Sequence, residues 1–301
     1  MNIIKYRKFW LIFSVLMVAV SILVIFLFRL PLGIDFTGGT LIEFKPKDKM
    51  ETQQIREQVK TIGEKSVQVQ QSGENQFIVR SSVSSNEDSK KFEQEIKNKF
   101  QGSEIVRREN IGTLVSANTT RRAIYGLLIA SVLIIMYLAY AFRQVPRSVS
   151  SWTFGTIAIL TLLHDLSATF AIYCFIGKAL GYELDSNVLV AALTILGFSV
   201  HDTIVVFDRI RENIIKRPQM SFSRNANSSI NQTFARSLNT SLTAILVLVS
   251  MLILGGSTIK PFILMLTLGI AIGTYSSIFI AAPSLVLWFE YKNKDSKNVK
   301  I

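Results

Sequence analysis

The sequence predicts an α-helical polytopic membrane protein of six transmembrane helices, with an α+β domain inserted between the first helix and the second. Three observations carry this reading. The apolar residues, 49% of 301, arrive in blocks. One long hydrophilic stretch, Arg29 to Arg122, separates the first block from the others. The short connections between the blocks are strongly basic on one side only. Six windows reach the roughly 20 mostly apolar residues that a bilayer crossing needs. They lie near Phe9–Phe28, Ala123–Phe142, Trp152–Ile176, Val188–Phe207, Leu238–Leu254 and Phe262–Trp288. The last is too long for a perpendicular crossing, so it should tilt, or break near Pro283, whose ring and missing N–H disrupt a helix.

Orientation follows from the charges. With the amino terminus inside, the inside segments hold 15 Lys or Arg, among them Lys5, Arg7, Lys8, Arg143, Arg147, Arg209, Arg224 and Arg236, against four acids. The two short outside loops carry only Lys178 and Lys260. The insert, with 16 basic and 13 acidic residues, counts little in the positive-inside rule. Both termini are therefore expected in the cytoplasm and the insert outside. Topology accounts for the net charge of +12 without nucleic acid as a partner. The expected organisation is 1–28 as amino terminus and first helix, 29–122 as external domain, 123–291 as helices two to six, and 292–301 as a basic cytoplasmic tail. Cys174 is the only cysteine, so no intrachain disulfide forms.

In chain order, Lys5, Arg7 and Lys8 precede an apolar run of signal-peptide character. No small-x-small cleavage site follows it, which predicts an uncleaved anchor. The insert opens with Gly33-Ile-Asp-Phe-Thr-Gly-Gly-Thr40. Gly38 and Gly39 permit a tight turn with positive φ, and Asp35 and Thr37 are expected to satisfy its backbone amides. A phosphate loop is disfavoured, because there is no GxxxxGK[ST] pattern and no helix is expected at once. Thr40 to Phe44 reads as a strand, and Ile55, Val59 and Ile62 mark a helix. Alternating Val67, Val69 and Phe77, Val79 flank a turn at Ser72-Gly73-Glu74-Asn75, which predicts a hairpin. Ser85 with Asp88 suggests a capping box opening a second helix along Phe92, Ile96 and Phe100, closed by Gly102, with Glu104 to Glu109 as the last strand. The order βαββαβ is ferredoxin-like. The insert lacks His, Cys and Trp, which argues against a metal site or a His-based triad there.

The chemistry is expected in the membrane helices. Val188 to Asn213 is apolar enough to span, yet holds His201 and Asp202. A charge at a helix centre costs from about 2.5 kcal/mol upward, so Asp202 needs a partner, a water-filled cavity or a proton. His164 and Asp165 interrupt the third span in the same way. In the fifth, Arg236, Asn239 or Thr240, Thr243, Val247 and Ser250 form a largely polar stripe. In the sixth, Gly269, Gly273, Ser277 and Ala281 recur every four residues, a seam for close helix approach.

GIDFTGGT, LLHDL, GFSVHDTIVVFDRIREN, SINQTFARSLNTSLT and GTYSSIFIAAP, in this order, resemble the SecD/SecF family of protein-export membrane proteins, within the wider RND superfamily of proton-driven transporters. The resemblance spans nearly the whole chain and implies an RND-like half in the bacterial inner membrane, its large loop periplasmic or extracellular. The implied role is a SecF-like subunit that uses the proton-motive force with SecD to assist late, ATP-independent export through SecY. The implied partners are SecD, the SecY/SecE/SecG translocon, YajC and YidC, and the translocating polypeptide. Protons are the coupling ion, no cofactor is required, and the protein is not an enzyme. Asp202 matches the family's proton-carrying aspartate, Arg236 its functional arginine, Asp165 and His164 its HD pair, and Asp35 a structural aspartate. Two positions depart: His201 stands where many relatives have Asn, and Thr113 where Pro is expected. Motion of Arg236 toward or away from Asp202 is the expected switch of proton affinity, the two joined by a hydrogen bond.

Three rival readings use the same residues. A small-molecule or lipid exporter of the RND kind would need two such halves. An intramembrane aspartyl protease would use Asp165 and Asp202, but Ser199-Val200-His201 replaces its GxGD signature. A scaffold would use the ionisable groups only to tie helices together.

Overall fold

The computed structural model describes residues 1–62, 67–73, 75–143 and 150–298. Glu74 of the expected turn, Arg147, and Lys300 of the basic tail lie outside them. The helices are α1 (Arg7–Phe28), α2 (Ile34–Thr37), α3 (Thr52–Lys60), α4 (Asn86–Lys99), α5 (Thr113–Ala141), α6 (Ser151–Leu180), α7 (Ser186–Lys216), α8 (Phe222–Leu254), α9 (Lys260–Ser276) and α10 (Ala282–Asn298); the strands are β1 (Gly39–Lys45), β2 (Val67–Gly73), β3 (Gln76–Ser81) and β4 (Glu104–Ile111). Among the described residues six stretches are long and apolar enough to cross a membrane, with α9 and α10 counted as one.

That sixth span is continuous but altered. Ser277–Ala281, between α9 and α10, is π-helical. In an unbroken α-helix the Phe279 carbonyl would accept from the N–H of residue 283, and Pro283 has none. The wider turn absorbs the fault, so the break expected at Pro283 is a local widening rather than an interruption. Thr113 opens α5 at its first position with Gly112 as N-cap, so the second long helix starts without a proline.

The strands form one antiparallel sheet in the order β2-β3-β1-β4, with α3 and α4 in the connections. Period-two alternation puts Ile42, Phe44, Phe77 and Val79 on one face, where Ile55 and Val59 of α3 and Phe92 and Ile96 of α4 bury against them. Two local expectations need correction. Ser85 is the N-cap of α4 but makes no side-chain capping bond; the reciprocal capping box is at α3, between Glu51 and Gln54. The Gly33–Thr40 segment is not a plain turn, since α2 occupies it, with Gly38 and Gly39 at φ 75° and 138° turning the chain into β1.

In the helical part, α1, α5 and the apolar half of α8 are largely exposed. The enclosed helices are α6, α7 and α9. Gly269 packs on Ile195 and Gly273 on Ser199, while Ser277 hydrogen-bonds Thr203 at 3.2 Å. Both series advance by four residues, so α7 and α9 run parallel, with the Ile195 and Ser199 ridge of α7 set in the groove that the glycines leave on α9. This is the close approach the small-residue seam predicts.

Candidate functional site

The site is built where α6, α7, α8 and α9 meet. On α7, Ser199, Asp202, Thr203 and Val206 share a buried face at helical spacing, whereas His201 points away and is exposed. Asp165 on α6 is fully buried. Its Oδ2 accepts from Ser199 Oγ at 2.5 Å and Ser276 Oγ at 2.7 Å, and its Oδ1 lies 3.0 Å from His164 Nδ1. His164 is buried too, and its Nε2 has no partner among the described residues.

Asp202, 6% exposed, takes a longer bond from Ser241 Oγ of α8 at 3.3 Å. Ser241 in turn accepts from Thr274 Oγ1 at 2.6 Å. One stretch of the sixth span thus reaches three neighbours: Thr274 meets α8, Ser276 meets α6 and Ser277 meets α7. A hydroxyl can donate and accept, so each carboxylate is met by groups able to re-orient: Ser199 and Ser276 at Asp165, and Ser241, backed by Thr274, at Asp202. Deeply buried carboxylates are costly unless so satisfied.

Arg236 does not join them. It lies on the exposed face of α8 with Asn239, Thr240 and Thr243, and makes no ion pair among the described residues. The buried face of α8 is instead Ser229, Thr233, Ser237 and Ser241, at intervals of four. The expected Asp202–Arg236 hydrogen bond is therefore absent, and a serine holds the position. Ser199, Ser241, Thr274 and Ser276 carry the site's geometry without having been singled out as site residues. Their signal is small hydroxyls at four-residue spacing on helices that face a carboxylate.

Asp35 belongs to a second junction. The Leu184 carbonyl accepts from Gly33 N at 2.8 Å, and Leu184 N donates to the Pro31 carbonyl at 2.7 Å, tying the exit of α1 to the α6–α7 turn. Asp35 Oδ2 accepts from Ser186 N at 2.7 Å and Asp185 Oδ1 from Val188 N at 2.9 Å, so two carboxylates cap the positive end of α7. Asp35 serves this distant helix rather than its own turn; Thr37 does bond locally, donating to the Gly33 and Gly38 carbonyls. Arg80 of β3 pairs with Glu183 at 3.0 Å, both largely buried. Burial pushes the Glu183 carboxyl above its usual range, with Arg80 pulling the other way. Burial pushes Asp185 up as well, against the bond from Val188.

Residues 91–292 match the family described as protein export membrane protein SecD/SecF, C-terminal, and residues 23–49 match the SecD/SecF GG motif. A protein translocase subunit SecF from Thermobaculum terrenum is 36% identical over 98% of this chain and 95% of its own. A protein translocase subunit SecDF from Bacillus subtilis is 35% identical over 97% of this chain but 38% of its own. The crystal structure of SecDF, a translocon-associated membrane protein from Thermus thermophilus, superposes with a TM-score of 0.83 at 31% identity, covering 97% of this chain and 39% of that one.

Proposed function

Because this chain belongs to the SecD/SecF family of protein export membrane proteins, we propose that it is a SecF-type subunit that couples proton movement to late, ATP-independent export through SecY. A role in Sec protein export and association with SecD follow from relatives in which a SecF-like part and a SecD part are one chain. The observation that carries the proton reading is the pair of buried carboxylates Asp165 and Asp202, each bonded by hydroxyls from neighbouring helices. Each proton crossing 100 mV releases about 2.3 kcal/mol, enough to bias a two-state equilibrium about fifty-fold. In this reading Asp202 takes and releases the proton and the hydroxyls of the sixth span re-orient with it. The junction at Glu183 carries the movement toward the sheet. The exposed polar face of α8, with Arg236, is assigned to SecD, so Arg236 acts where the partner covers it. Both termini lie in the cytoplasm and the sheet on the opposite side of the inner membrane.

The test is export of a secreted reporter in cells carrying Asp202→Asn, with SecD association of the variant measured separately. Failed export with an intact complex supports proton coupling. Normal export favours the scaffold, a reading that the separation of Arg236 from Asp202 also supports.

A further inference from the structure

A groove of about 490 Å³ lies between the residues preceding α1 and the start of α8, lined among others by Lys5, Ser223, Arg224 and Ser228. The chain before α1 is strapped to α8: Asn227 Oδ1 accepts from Ile4 N at 3.2 Å, and Asn227 and Asn231 both donate to the Met1 carbonyl. The strap holds Lys5, whose Nζ lies 5.7 Å from the Tyr6 ring centre, in the wall of the same groove as Arg224. Arg7, also in the wall, is neutralised by Glu290 at 2.8 Å. Lys5 and Arg224 form no ion pair among the described residues, and no carboxylate lines the groove. Ser221, the N-cap of α8, makes no side-chain capping bond, which leaves the first-turn amides of a 33-residue helix beside the two cations.

Depth identifies the occupant. Ile4 precedes Phe9, where the apolar run begins, by five residues, about 7.5 Å of helix. That places the groove in the head-group layer, roughly 5–7 Å thick on each side of the hydrocarbon. Exposed Tyr6 stands between this level and the start of the apolar run, as interfacial tyrosines do. We propose that this groove binds the phosphodiester head group of an anionic phospholipid, with Lys5 and Arg224 as its charged contacts and the acyl chains lying along α1. Bound there, the lipid would cement the strap between α1 and α8, since both of its cations sit across that seam.

The experiment uses the full-length protein in detergent, titrated with short-chain phosphatidylglycerol, short-chain phosphatidylcholine and inorganic phosphate, with binding read by calorimetry. Lys5→Gln/Arg224→Gln removes both contacts. Lys8→Gln/Lys292→Gln removes the same charge from exposed positions outside the groove, on α1 and α10. With about a factor of five per cation near an anionic surface, the first pair should weaken phosphatidylglycerol binding about thirty-fold and the second no more than about threefold. Equal losses in the two pairs would mean a diffuse basic surface and overturn the site. So would unchanged affinity in the first pair, or competition by free phosphate as strong as by phosphatidylglycerol. Both residues are exposed, so the melting temperature without lipid should match the native protein; a large drop would assign them a structural role and overturn the proposal.

Discussion

The substitution Gly269→Ala tests the α7–α9 seam. A Cβ on Gly269 would sit 2.2, 2.3 and 2.8 Å from Cδ1, Cγ1 and Cγ2 of Ile195. Carbon atoms prefer 3.5–4.0 Å, so three atoms of one side chain collide at once. Ile195 is fully buried, so making room for the methyl means displacing its packed neighbours. The cost belongs at or above the upper end of the roughly 1–3 kcal/mol typical of overpacking. Ile195→Ala alone leaves a hole worth about 2–5 kcal/mol. In Gly269→Ala/Ile195→Ala the new methyl enters that hole, so the double variant should be more stable than the sum of the singles by about 1–3 kcal/mol. Gly126→Ala is the control: nothing lies within 4 Å of its Cβ, and replacing a mid-helix glycine should stabilise by about 0.5–1 kcal/mol. Denaturant unfolding in micelles, followed by Trp fluorescence, reads all four proteins. Additive singles, or a Gly269→Ala protein within about 0.5 kcal/mol of native, would refute the packing argument.

Four other substitutions address the carboxylates. Asp165→Leu strands the Ser199 hydroxyl and His164 Nδ1, whereas Ser276 can fall back on the Gly273 carbonyl at 3.0 Å; the expected loss is about 3–5 kcal/mol, against about 1–3 for Asp165→Asn, and equal losses in the same unfolding assay would count against the network. At the junction, the Glu183 carboxyl titrates above its usual value, so its stabilising contribution is complete at acid pH and is lost as pH rises through that raised value. Arg80→Ala should push this window to higher pH and loosen residues 182–186 near neutrality; Glu183→Gln should remove the Glu183 share of the pH dependence, leaving that of Asp185, which has the same sign. Hydrogen exchange corrected for intrinsic rates reads both, and a native-like pH profile in Glu183→Gln would dismiss the idea.

The spans and the βαββαβ order were legible because their signals are local: twenty apolar residues for a crossing, alternation for a strand. The position of the seam was legible for the same reason, since Gly269, Gly273 and Ser277 can only serve a close approach. The partner of Asp202 was not. A polar stripe such as Arg236, Thr240 and Thr243 marks a face that avoids lipid, but periodicity cannot say whether the chain's own core or another subunit covers it. The true partner, Ser241, sits on a face whose serines and threonines bond their own helix carbonyls and so read as glue. Asp35 was missed for another reason: the N–H that its carboxylate accepts from lies on Ser186, 151 residues away, and no local pattern encodes that distance.

The widened turn at Ser277–Ala281 has a geometric consequence for the whole sixth span. One surplus residue advances the rotational phase of everything after it by about 100°. The helix therefore meets its surroundings as two keys cut on one shaft. Upstream, Leu264 and Met265 fit the lock around Ala191 and Ile195; downstream, Leu285 and Val286 fit the one around Phe154 and Phe207. Were the surplus to migrate by one turn, only the residues it passed would change face. Thr274, Ser276 and Ser277 stand at that boundary, where a small slip would hand each hydroxyl to a different neighbour.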